Sequence, residues 1–137
     1  VVVLASGGME MLSFDDLDGA IVAVKKGTTA EEAVTDINNS GRVNITILTS
    51  EQSAGCFDML KAGEADAVIC DSTLAEGMIK TSGGVFAEAY RDEGSPEEIA
   101  IAISKDNNEL KGAIDEALIQ MDLDGTTKSI LDKWITD

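Results

Sequence analysis

The strongest constraint in this sequence is a hydrophobic period that switches repeatedly between two and about 3.6. Ile21-Val22-Ala23-Val24 is a short apolar run between the polar segment 15–19 and Lys25-Lys26-Gly27, the pattern of a buried strand. Ala30, Ala33, Val34 and Ile37 then recur at helical spacing and stop at Asn38-Asn39-Ser40-Gly41,. Val43, Ile45 and Ile47 alternate with Asn44 and Thr46, which predicts a strand,. A helix over 53–62 carries Phe57, Leu60 and Lys61 and ends at Gly63, and Ala67–Cys70 reads as another short buried strand. Leu74, Met78 and Ile79 mark a helix ending near Ser82-Gly83-Gly84, with a strand near 85–90 behind it. Segment 91–98 is polar and holds the single proline, Pro96. Ile99, Ile101 and Ile103 alternate with small residues and predict a further strand. Leu110, Ala113, Ile114, Ala117, Leu118 and Met121 mark one helix. Ile130, Leu131, Trp134 and Ile135 mark a second after Asp124-Gly125.

Strands alternating with helices imply crossover units, hence an α/β fold with a mainly parallel sheet flanked by helices. The 137 residues suit one domain of ordinary size,. Aromatics are only 4% of the chain, so Val, Ile, Leu, Ala and Met must build the core. The net charge of −16 repels phosphate backbones and anionic membrane surfaces, which disfavours nucleic-acid partners,. With no His there is no Ser-His-Asp triad, no Cys-His pair and no His-ligated metal,. No apolar run approaches the ~20 residues that a membrane-spanning helix needs. Val1 stands where Met would open a chain, and VVVLASGG lacks a charged leader region, so it reads as a strand beginning mid-protein,.

Cys56 and Cys70 lack a C-x-x-C spacing and make a poor zinc site without His,. They read as two small buried hydrophobes. A disulfide stays open if the helix holding Cys56 packs back on the strand ending at Cys70. No metal or cofactor is expected.

In parallel sheets ligands bind beyond the carboxyl ends of the strands. Two places qualify here. Gly27-Thr28-Thr29 lies between a strand and a helix start, where exposed N–H groups and hydroxyls suit a carboxylate. The same spacing also fits a capping box, Thr28 with Glu31 or Thr29 with Glu32. Asp71 follows the 67–70 strand; it suits either an N-cap or an acceptor for a ligand ammonium. A carboxylate-binding turn beside an ammonium-binding Asp describes a receptor for an amino-acid zwitterion. Lys25 is a solvated charge or a contact to a ligand carboxylate or polar side chain. Glu51, Asp58, Glu64 and Asp66 read as surface charge. No acid/base pair is spaced for catalysis, so no catalytic residue is expected.

The stretches FDDLDGAIVAVKKGTTAEEA, MLKAGEADAVICDSTLAEGMIK and IAIAISKDNNELKGAIDEALIQMDLDGTTKSILDKWI, in that order, resemble the extracytoplasmic solute-binding proteins of polar amino-acid ABC transporters. That family has the type 2 periplasmic-binding fold, with two lobes closing over the ligand about hinge strands. The resemblance implies that residues 1–104 are a second lobe with both hinge strands. VVVLASGG would be the entering hinge strand and 99–104 the returning one. Residues 105–137 would be C-terminal helices that pack on a first lobe absent from this chain. It further implies that Thr28 and Thr29 hold the ligand α-carboxylate, that Asp71 holds the α-amino group, and that Lys25 contacts the ligand. The implied partners are an amino acid, an ABC transporter permease, and the missing first lobe or a second copy of the chain to cover the C-terminal helices. The implied location is extracytoplasmic, in the periplasm or at the cell surface, with a lipid anchor in keeping with either. Two competing readings share the fold: the sensor domain of a signalling receptor, and a dehydratase relative.

Overall fold

The computed structural model describes residues 1–94 and 99–134. Pro96 and Ile135, singled out above, lie outside the described residues. The chain forms two compact units, Val1–Asp92 and Glu93–Asp137.

The first unit is a five-stranded mixed sheet with helices on both faces. Its strands are β1 (Val2–Leu4), β2 (Ile21–Lys25), β3 (Thr46–Ser50), β4 (Ala67–Val68) and β5 (Phe86–Glu88), in the order β3-β2-β4-β1-β5. β2 runs parallel to β3 and to β4, whereas β1 runs antiparallel to β4 and β5. Four strands therefore point one way and β1 runs against them. The helices are α1 (Thr29–Asn39), α2 (Ser53–Ala62) and α3 (Ser72–Thr81), with a short 3-10 turn at Phe14–Leu17.

β2 is buried on both faces, as a central parallel strand must be. Val22 and Val24 join Val34 of α1 in one core layer; Ala23 joins Phe57 and Leu60 of α2 and Ala75 of α3 in the other. Phe57 packs on Phe86 with ring centroids 5.3 Å apart. α2 ends at Gly63, whose φ of +75° is a left-handed conformation that glycine adopts at little cost,.

Two sequence expectations need correction. The strand placed on Val43, Ile45 and Ile47 begins later, at Thr46. Val43 and Ile45 are buried, but side chains satisfy the backbone before Thr46. The Asn44 N–H donates to Asp18 Oδ1 at 2.7 Å, and Ile45 exchanges two hydrogen bonds with the Asn38 side chain at 2.8 and 3.1 Å. The strand expected over 99–104 is irregular. Alternation alone makes no strand without a neighbouring ladder, and Ile99 and Ile101 are exposed,.

The second unit carries α4 (Asn108–Leu123) and α5 (Thr126–Trp134). Asn107 caps α4 through the Leu110 N–H, and Asp124 Oδ1 accepts from the Thr126 N–H at the start of α5. Neither helix buries a residue; Leu118 is 47% and Trp134 62% exposed.

Candidate functional site

The parallel register brings the carboxyl ends of β2 and β4 together. Val22 lies opposite Ala67 and Ala23 opposite Val68, and the Ile69 N–H donates to the Ala23 carbonyl at 3.2 Å. Lys25 ends β2 two residues beyond Ala23, and Cys70 and Asp71 follow the end of β4. On the other side of β2, Lys25 lies opposite Ser50 of β3, and the Lys26 N–H donates to the Ser50 carbonyl at 2.9 Å. Three helices, α1, α2 and α3, thus begin along one edge of the sheet.

The chain leaves β2 through Gly27, at φ +72°. That conformation favours glycine; the space around the missing Cβ is open, so backbone and not packing sets the requirement,. Thr28 is the N-cap of α1. Its hydroxyl donates to the Lys25 carbonyl at 2.7 Å and accepts from the Glu31 N–H at 3.4 Å. Glu31 Oε2 reaches back to the Gly27 N–H at 2.6 Å, one residue ahead of the cap. The cap is therefore Thr28 with Glu31, not Thr29 with Glu32, and it differs from a capping box in that the carboxylate bonds Gly27 and not the cap itself. Thr28 serves the turn with its hydroxyl, and Thr29 opens the helix as its first residue, exposed at the edge.

Asp71 is the N-cap of α3 by backbone position only. Its carbonyl accepts from the Ala75 N–H at 2.9 Å, but its side chain makes no capping hydrogen bond. The capping role open to it on sequence grounds is not used. Its exposed carboxylate stands on the same edge as the α1 turn, one strand away. Lys25 is exposed and makes no ion pair among the described residues, whereas Lys26 pairs with Glu51 at 3.1 Å.

Asp66, read above as surface charge, has a structural task. Its carboxylate accepts from the Ile21 N–H at 2.8 Å, and its own N–H donates to the Ile21 carbonyl at 2.7 Å, fastening β4 to the start of β2. Sequence reasoning also passed over Ser50. Its hydroxyl accepts from the Gln52 N–H at 3.3 Å and donates to the Gln52 carbonyl at 2.9 Å, shaping the turn into α2. A Cβ on Gly55 would lie 2.3 Å from Ser50 Oγ, so a larger residue there would displace the Ser50 hydroxyl from this turn. The rule that located the other two strand ends also covers this one.

Cys56 is buried, Cys70 is half-buried, and both are free thiols in the same core layer. Burial pushes the Cys70 thiol up to about 11 and raises that of Cys56 as well. Both behave as small apolar groups. Among the described residues no group of three His, Cys, Asp or Glu side chains is placed to hold a metal ion. A shallow groove lined by Glu31, Glu32, Thr35 and Asp36 runs along α1.

The edge can do two things chemically. The start of α1 offers N–H groups and the positive end of a helix to an anion. Asp71 offers an uncommitted carboxylate to a cation.

No family model matches the chain. The L-cystine-binding protein TcyJ of Escherichia coli (strain K12) is 30% identical over 123 residues, covering 88% of this chain and 43% of the relative. An ancestral arginine-binding protein bound to glutamine superposes with a TM-score of 0.80 at 30% identity, covering 99% of this chain and 58% of that one. The ancestral amino-acid-binding protein AncCDT-1, a precursor of cyclohexadienyl dehydratase, superposes with a TM-score of 0.79 at 30% identity, covering 98% and 56%. The chain spans less than half the length of the TcyJ relative. The proteins it is homologous to are amino-acid solute-binding proteins of ABC transporters, and its fold is that of a type 2 periplasmic-binding lobe.

Proposed function

We propose that this chain is the ligand-binding second lobe of an extracytoplasmic amino-acid-binding protein that delivers its ligand to an ABC transporter permease. One observation carries the reading. Asp71 starts α3 without capping it, on the edge where the Thr28-capped start of α1 faces outward. An amino acid bridges the two, its α-carboxylate at Thr28 and Thr29 and its ammonium on Asp71. Lys25 then meets a carboxylate or polar group of the ligand side chain. Homology to amino-acid-binding proteins supports the same assignment.

The mechanism is capture and not chemistry. Ligand bound on this edge favours a closed form over an open one, and the permease reads the closed form. Residues 1–104 act as the second lobe with its hinge segments. Residues 105–137 lay the apolar face of Leu110, Ile114, Leu118 and Trp134 on a first lobe or on a second copy of the chain. The protein works in the periplasm or at the cell surface, free or lipid-anchored.

The dehydratase reading has AncCDT-1 in its favour, since that protein is a precursor of such an enzyme. It is nonetheless a binding protein, and this edge carries no general acid/base pair. Turnover of prephenate or arogenate by the protein would reverse the choice.

Amide-resolved NMR titration of the chain tests the site. L-Glutamine should shift the amides of Gly27–Thr29 and of Asp71 and Ser72 together. N-Acetyl-L-glutamine lacks the ammonium and should lose the shifts at Asp71; L-glutamine amide lacks the carboxylate and should lose those at Gly27–Thr29. Identical shift patterns for all three compounds would refute the assignment.

A further inference from the structure

We infer that Arg91 is a positioning residue for the ligand-binding edge, clamping α3, the helix that presents Asp71, to β5. The inference rests on the reading of Asp71 proposed above. α3 has a small apolar footprint. Ala75 is its only fully buried residue, with Leu74, Met78 and Ile79 partly buried. β5 is three residues long and buries Phe86. Leu74, Ala75, Met78 and Ile79 form one apolar stripe that holds α3 on the core, and the stripe begins three residues beyond Asp71.

A polar, directional restraint is added by the guanidinium of Arg91. Its Nη2 lies 2.7 Å from Glu76 Oε1 on α3 and 2.7 Å from Glu88 Oε2 on β5, and its Nε lies 3.0 Å from Glu88 Oε1. Glu88 is thus held at both oxygens, the two-pronged geometry that only arginine provides. The hydrogen bond from Arg91 also holds the Glu88 carboxyl below its usual range. Isolated exposed ion pairs contribute little, but a guanidinium shared between two carboxylates on two elements is the favourable case. All three side chains are more than half covered, at 37, 25 and 33% exposure for Arg91, Glu76 and Glu88.

A second polar tie holds only the far end of α3. Ser82 Oγ accepts from the Val85 and Phe86 N–H groups, each at 3.2 Å. Glu76 lies mid-helix, five residues from Asp71, so its link to Arg91 adds to the restraint on the rotation of α3. At about 5 Å from the axis, a turn of roughly 10° moves a side-chain tip by about 1 Å. That displacement is enough to degrade a charge-assisted hydrogen bond.

The test uses Arg91→Met, Glu76→Gln and Asp71→Asn in the full chain, with L-glutamine and L-arginine as probes. Arg91→Met and Glu76→Gln should each speed hydrogen exchange at Thr73–Glu76 while leaving Val22–Val24 protected. Each should raise the Kd about 3–10-fold when Asp71 is present and leave it unchanged in the Asp71→Asn background. Arg91→Lys, which keeps the charge without the fork, should restore binding only in part. A role in stability alone would move affinity equally in both backgrounds, or not at all, and either result overturns the inference. If Asp71→Asn itself leaves the Kd unchanged, the amine site fails and the positioning role falls with it. Unchanged exchange in α3 together with a clear Asp71→Asn effect sinks the clamp alone.

Discussion

Removing the side chains of the N-caps Thr28 and Asp71, on the proposed binding edge, should have opposite consequences. Thr28 is committed to its turn through the 2.7 Å bond to the Lys25 carbonyl and the 3.4 Å bond from the Glu31 N–H. Truncating a cap of this kind costs about 0.5–2 kcal/mol of stability. Asp71 makes no such bond. Asp71→Ala therefore forfeits only its interaction with the helix dipole, about 0.3–1 kcal/mol, which salt screens. Affinity should behave the other way. A hydrogen bond to a charged group is worth about 1.5–3 kcal/mol, so Asp71→Ala should weaken amino-acid binding roughly 10–150-fold. Hydrogen exchange of the Val22–Val24 amides reads the unfolding of the first unit, and the titration reads the affinity. At high salt Thr28→Ala should remain destabilised and Asp71→Ala should match the parent chain. If Asp71→Ala stays as destabilised as Thr28→Ala at high salt, the carboxylate is a cap and not a ligand group.

Gly27→Ala should cost about 1–2 kcal/mol, because φ is +72° there and nothing crowds the added methyl,. A urea midpoint equal to that of the parent chain would show that the turn relaxes freely. The Cys70 thiol, raised to about 11 by burial, should label slowly with iodoacetamide near pH 8, where about one part in a thousand is thiolate,. Because the folded value lies above the unfolded one, Cys70 contributes stability below pH 9 that is lost as pH rises from about 9 to 11,. Stability that rises across that window would contradict the burial of the thiol.

The parts of the fold that one element decides by itself were legible in the sequence. The helix over 53–62 ends at Gly63, and β2 is apolar at four consecutive positions because both its faces are covered. The parts decided by distant partners were not. Val43 and Ile45 carry a strand-like alternation, but Asp18 takes the N–H of Asn44 between them and Asn38 takes both backbone groups of Ile45; no local pattern announces a bond across 26 residues. Ile99–Ile103 has the alternation of a strand and no ladder to join. The candidate site divides in the same way. The strand-end rule singled out Gly27–Thr29 and Asp71, yet spacing could not say which of the two threonines caps α1, nor that the Asp71 side chain leaves its helix uncapped. Asp66 resembles any exposed acid until its bond to Ile21 is seen.

The charge of the chain, −16, and the charge at the proposed site act in opposite directions. A field of that sign attracts a cationic amino acid, repels an acidic one, and leaves a neutral zwitterion nearly unaffected. At the proposed edge Lys26 pairs with Glu51, and the ligand ammonium would meet Asp71, which leaves Lys25, without an ion pair among the described residues, as the cation open to the ligand side chain. Contact therefore favours an acidic side chain while the distant field disfavours it. Salt separates the two, since the screening length shrinks from about 10 Å at 0.1 M to about 3 Å at 1 M. Raising salt should weaken L-arginine, leave L-glutamine almost unmoved and improve L-glutamate relative to both. Lys25→Met should lower the affinity for L-glutamate relative to L-glutamine at high salt, where the local contact is read with the distant field screened, without altering the salt response of L-arginine. If the ratio of L-arginine to L-glutamate affinity is the same at both salt concentrations, the distant field does not reach the edge. If Lys25→Met leaves the high-salt ratio intact, Lys25 does not face the ligand side chain.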